Sequence, residues 1–252
     1  MRASLSTHFA RKIGRFILTR PQKVTWPGGV VSITFDDFPK SALDAGGAVL
    51  DRHGVRGTYY TAVGLAETSG NLGRMFGRGD VEAAHRAGHE IACHTFHHLD
   101  CGRNKTPTLL ADVDENGAAI ESLTGGYTPT NFAFPFGGTS MSSKAAMSRR
   151  FESCRGIGFG VNAGTADFAD LRANRVRESV EEDGIYRRLV DEARATDGWL
   201  IFYTHDVIET PSPYGCTPEQ LDTVVAYAAA ACPVLTVRDV IAGLATPAPA
   251  VF

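Results

Sequence analysis

The chain has 252 residues, of which 43% are hydrophobic and 21% charged, and its formal net charge is −3 at pH 7. This size and composition suit one globular α/β domain with a large core. A weakly negative chain is not a general polycation, so we expect no nucleic-acid partner. No apolar run approaches the roughly 18 residues that a membrane-spanning helix needs.

The five cysteines are odd in number and contain no CxxC pair, so they predict neither a disulfide framework nor a zinc ribbon. A reducing compartment suits this usage, and we expect a cytoplasmic protein. Segment 1–23 is basic and carries apolar residues partly at helical spacing, which predicts a helix packed on the domain. Weak contact with anionic lipid at the inner membrane, or a frayed end, are the alternatives for this segment.

A buried strand is predicted at 30–35, directly after Gly28-Gly29, because the run is short, apolar and β-branched. Further strands are predicted at 57–63, 89–93, 131–136, 154–161, from 175–176 onward, at 199–204 and at 234–236. Helices are predicted at 41–52, 80–87, 108–123, 142–150, 185–196 and 218–231. Strands that alternate with helices favour parallel pairing, and about seven such units indicate a closed or nearly closed barrel.

Chemically useful side chains follow several of the predicted strands. They are found in Asp36-Asp37, in the run from His94 to His98, in the element from Phe134 to Gly137, and in His205-Asp206. In a (β/α) barrel the carboxyl ends of all strands face one side, where such barrels place their active sites. Unrelated core residues have no reason to gather there, so the sequence predicts a single site.

The histidine run predicts metal binding. His94 and His98 are four residues apart, so one turn of helix would place both imidazoles on the same side. Two imidazoles and a carboxylate are typical ligands of a catalytic zinc ion, which leaves one position open for water. His97 is a less favoured ligand. The remaining histidines are assigned to the surface or the core: His8, His53, His85 and His89.

The other elements each allow two interpretations. One acid of Asp36-Asp37 could cap the following helix, but a doublet can supply both a metal ligand and a base. Pro135 and the glycines after it either end a strand or bring the Phe136 N–H to a substrate as an oxyanion donor. His205, at the end of an apolar strand, is either a capped surface histidine or a general acid for a leaving amine.

Taken together, these motifs resemble those of the polysaccharide deacetylase family, the NodB-homology domain of carbohydrate esterase family 4. The resemblance runs from about 30 to 240, with the motifs in family order. It implies a distorted (β/α) barrel at 28–245, flanked by a basic segment 1–27 and a tail 246–252. It also implies a divalent metal, commonly Zn²⁺ with Co²⁺ or Mn²⁺ as substitutes, and removal of N-acetyl groups from an amino-sugar oligo- or polysaccharide.

The resemblance also implies a role for each matching residue. Asp36 matches the general base and His205 the general acid. Phe136 occupies the position whose N–H helps to hold the oxyanion, and Pro135 lies beside it in the same element. The metal ligands are matched by three residues: Asp37, His94 and His98.

Three positions depart from the family pattern. Ala133 stands where the family often carries an arginine that orients the base, so Arg175 or Arg177 is the expected substitute. Tyr203 replaces a leucine that usually lines the acetyl-methyl pocket, which puts the acyl group in question. The acidic or tryptophan motif of the family is only loosely echoed by 167–171.

The expected partner is therefore an N-acetylated glycan or a lipid-linked sugar precursor. Tyr203 and Ala133 motivate an alternative activity, that of a deformylase or cyclic-amide hydrolase on the same fold. A non-catalytic glycan-binding module is a third hypothesis, and it predicts a broken ligand set.

Overall fold

The computed structural model describes residues 19–176 and 183–245. In chain order its strands are β1 (Pro21–Val24), β2 (Val30–Asp36), β3 (Thr58–Thr61), β4 (Ser69–Gly70), β5 (Gly73–Arg74), β6 (Glu90–Cys93), β7 (Asn131–Ala133), β8 (Ser153–Arg155), β9 (Gly164–Asp167), β10 (Asn174–Arg175) and β11 (Trp199–Thr204). The α-helices are α1 (Ala48–Arg52), α2 (Arg78–Arg86), α3 (Thr106–Thr124), α4 (Met141–Arg150), α5 (Asp183–Ala195), α6 (Pro218–Ala231) and α7 (Val237–Ala245).

The central sheet has seven strands in the order β10-β11-β2-β3-β6-β7-β8, and every neighbouring pair is parallel. It curls into an incomplete barrel whose edge strands are β10 and β8. This confirms the predicted distorted (β/α) barrel of about seven parallel strands. The carboxyl ends of all seven strands therefore point to the same end of the barrel.

Strand β2 lies in the middle of the sheet, and all seven of its residues are buried. Strands of a parallel sheet are covered on both faces, which explains why this strand is a nearly continuous apolar run. Its polar residues are satisfied internally: Ser32 accepts the indole N–H of Trp199 at 3.0 Å, and Thr34 donates to the carbonyl of Phe202 at 2.9 Å. The chain thus reaches Asp36, the last residue of β2, along a rigid element.

The opposite end of the barrel is closed by helix α7. The N–H of Val237 donates to Oγ1 of Thr58 at 3.0 Å, and the N–H of Arg238 donates to the buried carboxylate of Glu90 at 2.8 Å. Thr58 and Asn131 also donate to Glu90, at 2.9 and 2.7 Å. These bonds satisfy donors at the start of α7 that would otherwise lack partners.

The structure adds elements that the sequence did not predict. The pair β4–β5 is a short antiparallel hairpin, and β1 pairs antiparallel with β9. The predicted strand at 234–236 is reduced to one bridge between Val234 and Val31, and α7 begins directly after it.

The N-terminal segment is described only in part. Residues 21–24 form β1 and belong to the folded unit, whereas the predicted helix and membrane contact in 1–18 lie outside the described residues, as does the tail 246–252. Within the described ranges, no helix combines the length and the hydropathy that crossing a bilayer requires.

Candidate active site

Three predicted ligands meet at the carboxyl end of the barrel. Oδ1 of Asp37 lies 2.9 Å from Nε2 of His98 and 3.3 Å from Nε2 of His94. One ligand atom from each of the three residues lies within 4.8 Å of the other two. The structure therefore brings together the residues that the sequence assigned to a common ion.

The backbone reaches this arrangement without the predicted helical turn. The segment 94–98 is a loop, in which Thr95 and His98 have positive φ values of 58° and 54°. Asp37 likewise has φ 61°. Non-glycine residues rarely adopt the left-handed region, and such strain concentrates at functional sites. The prediction of a helix was wrong, although both imidazoles do face the same point.

Asp112, on helix α3, holds the histidine loop in place. Its buried Oδ1 accepts the backbone N–H groups of Phe96 and His97 at 2.7 and 3.1 Å. Its Oδ2 lies 2.7 Å from Nδ1 of His97. The imidazole of His97 is 58% exposed and is turned away from the three ligands. With Asp112 and Glu115 it forms a second group of metal-compatible side chains, two of which are exposed.

The buried ligands are oriented and charged as metal binding requires. Nδ1 of His94 donates to the carbonyl of Ala133 at 2.8 Å, so Nε2 is free to face Asp37. Burial lowers the pKa of His94, which favours the neutral imidazole. Burial alone would raise the pKa of Asp37, but the His94 and His98 imidazoles hold it well below its usual range.

The donor set fits a divalent cation. Oδ1 of Asp37 is buried, yet it forms no well-directed hydrogen bond with a described residue, despite its closeness to both imidazoles. Buried polar atoms are nearly always hydrogen-bonded, so an unpartnered carboxylate oxygen calls for a ligand. One carboxylate and two imidazoles are ordinary zinc ligands.

Asp36 contacts an arginine that the sequence analysis did not identify. Nη2 of Arg155, at the end of β8, lies 2.5 Å from Oδ1 of Asp36, and the Arg155 side chain is fully buried. Arg175, which was expected there, instead lies in the cavity wall with its guanidinium 5.9 Å from the ring centre of Tyr214. Arg177 lies outside the described residues. Arg155 is therefore the arginine that contacts Asp36.

His205 faces the metal-ligand group from the end of β11. Its Nε2 lies 4.0 Å from Oδ2 of Asp37, and its Nδ1 lies 3.3 Å from the carbonyl of Tyr214. A carbonyl only accepts, so Nδ1 carries the proton in this hydrogen bond. The arrangement leaves Nε2 directed to the cavity.

Phe136 lies on the other side of the ligands. It has φ 57° inside a 3₁₀ turn that begins at the buried Pro135, and its ring centre is 4.4 Å from that of His98. Gly137 also has a positive φ, 57°, and a Cβ there would lie only 2.4 Å from Ile157. The close packing of Gly137 against Ile157 thus constrains the turn from which Phe136 lines the cavity.

Most of the predicted site residues line one cavity of about 650 Å³. One side of the cavity is formed by Asp36, Asp37, His94, His98, Phe136, Tyr203 and His205. The opposite wall comes from residues 68–72 in and around the β4–β5 hairpin. The volume falls in the usual range for a small-molecule site, about 300–1,000 Å³.

Sequence reasoning missed Arg155, Asp112 and the hairpin wall. Arg155 had one usable signal: a lone charged residue inside a predicted buried strand requires a buried partner. Asp112 is one of several acids on α3, and nothing in the sequence distinguishes it. The hairpin strands are two residues each, too short for periodicity.

Comparisons with known proteins bear on the fold and the family. A family model described as polysaccharide deacetylase matches residues 23–150, half of the chain. A probable peptidoglycan-N-acetylglucosamine deacetylase from Arthroderma benhamiae is 27% identical over 109 residues, which cover 43% of this chain. The match spans only 24% of that relative's length.

Solved structures share the fold at low sequence identity. A putative polysaccharide deacetylase from Mycobacterium smegmatis superposes with a TM-score of 0.64 at 17% identity, covering 91% of this chain and 95% of that one. The chitin deacetylase of Colletotrichum lindemuthianum gives 0.60 at 16% identity, covering 86% and 89%. A family 4 acetyl xylan esterase from Clostridium thermocellum, solved with a cobalt ion, gives 0.55 at 20% identity, covering 86% and 93%.

The family model agrees with the strand order and with the grouping of histidines and carboxylates in the structure. The chain belongs to the polysaccharide deacetylase family.

Proposed function

We propose that this protein is a metal-dependent hydrolase that removes N-acetyl groups from an amino-sugar oligo- or polysaccharide. The observation that carries the proposal is the convergence of Asp37, His94 and His98 beside two groups suited to proton transfer, Asp36 and His205. Three separate segments, 36–37, 94–98 and the residue after β11, supply the five residues, and all five line the same cavity.

Asp37, His94 and His98 would hold the cation, with Zn²⁺, Co²⁺ and Mn²⁺ as candidates. When bound, a divalent cation supplies Lewis-acid polarisation of the amide carbonyl and lowers the pKa of water at the site. The hydrogen bond from His94 to Ala133 fixes which ring nitrogen is offered.

Asp36 acts as the general base that accepts the proton of the attacking water. Its contact with Arg155 holds the carboxylate in place at the cavity wall. Since Asp36 lines the cavity and directly precedes the ligand Asp37, the proton acceptor is adjacent to the place where water would be activated.

His205 acts as the general acid that protonates the departing amine. The step requires His205 as an imidazolium, protonated on both ring nitrogens. Nδ1 keeps its proton for the Tyr214 carbonyl, so Nε2 is the atom that gives up its proton to the amine. The Phe136 N–H, carried on the strained turn beside His98, donates a hydrogen bond to the carbonyl oxygen as negative charge develops there.

A glycan substrate suits the rim of the cavity. The rings of Phe136 and Tyr214 are 68% and 46% exposed and flank the opening. Exposed aromatic surface of this kind marks binding sites, and flat rings pack well against the C–H face of a sugar. An N-acetylated glycan or a lipid-linked sugar precursor remains our expectation for the natural substrate.

The test is acetate release from N-acetylglucosamine oligomers by metal-loaded protein. Activity should fall about 10²–10⁴-fold in Asp36→Asn, the range for loss of a general base, with metal content unchanged. Full activity in Asp36→Asn would reject the assigned base. Release of formate, or ring opening of cyclic amides, without acetate release would favour the alternative hydrolase that Tyr203 motivates.

A further inference from the structure

The guanidinium of Arg155 lies between two tyrosine rings inside the barrel. Its Cζ is 4.9 Å from the ring centre of Tyr60 and 5.0 Å from that of Tyr203. Nη2 contacts Asp36, and Nη1 donates to the carbonyl of Gly156 at 2.9 Å. A cation over an aromatic face is attracted to it, most strongly where water is excluded, as it is here.

The sheet order explains why two rings reach this arginine. Strand β2, which ends in Asp36, lies between β11 and β3, which carry Tyr203 and Tyr60. Asp36 pairs in register with Tyr60. Arg155 comes from β8 at the far edge of the sheet, so its side chain crosses the barrel interior to reach the base.

Small side chains leave room for this crossing. Ala133 is the register partner of Arg155 on the neighbouring strand β7. With Ala92 it packs against Tyr60 in a small buried cluster. A larger residue at either alanine would meet the ring of Tyr60, so the path of Arg155 depends on both.

The buried arginine stays charged. Burial by itself lowers the pKa of Arg155, but the Asp36 carboxylate and the two tyrosines raise it above its ordinary value. An uncompensated buried charge would be costly, and the ion pair, the hydrogen bond to Gly156 and both rings compensate it.

We propose that Tyr60 and Tyr203 are positioning residues that act on catalysis through Arg155. The two rings restrict the guanidinium to one orientation, which fixes Nη2 against Oδ1 of Asp36 and sets the direction of the base. The proposal rests on the assignment of Asp36 as the base. Arg155 and Tyr60 do not line the cavity, so they act without touching substrate.

The variants are chosen to separate positioning from substrate contact. Tyr203 both lines the cavity and covers Arg155, whereas Tyr60 covers Arg155 without lining the cavity. Tyr60→Leu therefore tests positioning without removing a residue of the cavity wall. Tyr60→Phe keeps the ring. Tyr127→Leu is the matched control, because Tyr127 covers Arg238 in the same way, at 5.6 Å, far from the ligands.

The kinetic arm measures kcat and KM for acetate release. Tyr60→Leu should lower kcat about tenfold and Arg155→Met about 10²-fold, with KM changed less than about twofold, since a displaced reacting group costs rate rather than binding. In the Arg155→Met background, adding Tyr60→Leu should not lower kcat any further. Tyr60→Phe should retain more activity than Tyr60→Leu, and Tyr127→Leu should keep the wild-type kcat. Fully additive losses, or an unchanged kcat in Tyr60→Leu, would overturn the proposal.

The second arm does not depend on activity. Urea unfolding of Tyr60→Leu, Arg155→Met and the double variant should show coupling, with the double variant less destabilised than the sum of the single ones. If Arg155→Met does not fold, Arg155→Lys replaces it, since lysine keeps the positive charge but lacks the planar guanidinium group. Additive unfolding free energies would overturn the proposal. Coupling in a protein that releases no acetate would instead count against the proposed function alone.

Discussion

The carboxylate of Asp112 binds His97 and thereby separates it from its neighbour His98. Oδ2 of Asp112 lies 2.7 Å from Nδ1 of His97, whereas Nε2 of His98 lies 2.9 Å from Asp37. The two adjacent histidines thus contact different carboxylates, His97 that of Asp112 and His98 that of Asp37. Because Asp112 also accepts the N–H groups of Phe96 and His97, it determines the conformation of the loop that carries His98.

We therefore predict that Asp112→Ala weakens metal binding about 10–100-fold, the usual effect of removing a group that orients a ligand. It should also lower the free energy of unfolding by about 1–3 kcal/mol, since the N–H donors lose their acceptor. Competition with a metal chelator and urea unfolding measure the two effects. Asp114→Ala, an exposed acid on the same helix, is the control and should change neither. Destabilisation with unchanged metal affinity would contradict the positioning role.

The two neighbouring histidines should differ in metal content. His98→Ala removes a ligand and should leave less than half of the wild-type metal after dialysis against metal-free buffer. His97→Ala should retain it, because the His97 imidazole is exposed and faces Asp112. Elemental analysis of both purified variants checks this. Equal losses in the two variants would argue against the assignment of His98.

His205 should be needed for turnover but not for the metal. His205→Asn is predicted to lower kcat about 10²–10⁴-fold, the range for a general acid, while metal content stays at the wild-type value. His53→Asn is the control, since Nε2 of His53 lies 2.9 Å from Oδ1 of Asp222 and His53 does not line the cavity. Wild-type turnover in His205→Asn would remove His205 from the mechanism.

Folding stability should depend on pH through His89. Its Nδ1 accepts the backbone N–H of Gly57 at 3.0 Å, and burial, aided by the charge of Arg56, lowers its pKa from 6.5 to about 4. Between these pH values the unfolded chain binds a proton that the folded chain does not. The free energy of unfolding should therefore fall as pH drops from 6.5 to about 4, by up to about 3 kcal/mol from this residue.

The measurement is urea unfolding of metal-free protein across this pH range, compared with His89→Gln. Glutamine keeps an acceptor for Gly57 but does not titrate, so the variant should lose less stability on acidification. The same pH dependence in both proteins would show that His89 is not the group responsible.

Much of the barrel follows from local patterns. Strands β2 and β11 are apolar runs because both faces of a parallel sheet are covered. The helices between them are long enough for their boundaries to be predicted from the sequence. The grouping of residues 36–37, 94–98 and 205 was predictable because each motif follows a strand of the parallel sheet. Parallel pairing then gathers the motifs at one end without any knowledge of side-chain contacts.

The rest depends on long-range contacts that spacing does not encode. The four-residue interval between His94 and His98 suggested a helix, whereas the structure uses a left-handed Thr95 to turn the loop. Arg155 lies 119 positions from Asp36, and only the curl of the sheet brings them together. The apolar and β-branched residues at 234–236 favoured a strand. In the structure, however, Thr236 lies directly before α7, and its Oγ1 accepts the N–H of Asp239 at 3.2 Å, as in a helix cap.

The most direct test of the account is anomalous diffraction from crystals of the protein soaked with Co²⁺. We predict one strong anomalous peak about 2.0–2.2 Å from Nε2 of His94, from Nε2 of His98 and from a carboxylate oxygen of Asp37. A peak at the His97, Asp112 and Glu115 group instead, or no peak between Asp37, His94 and His98, would contradict the central claim.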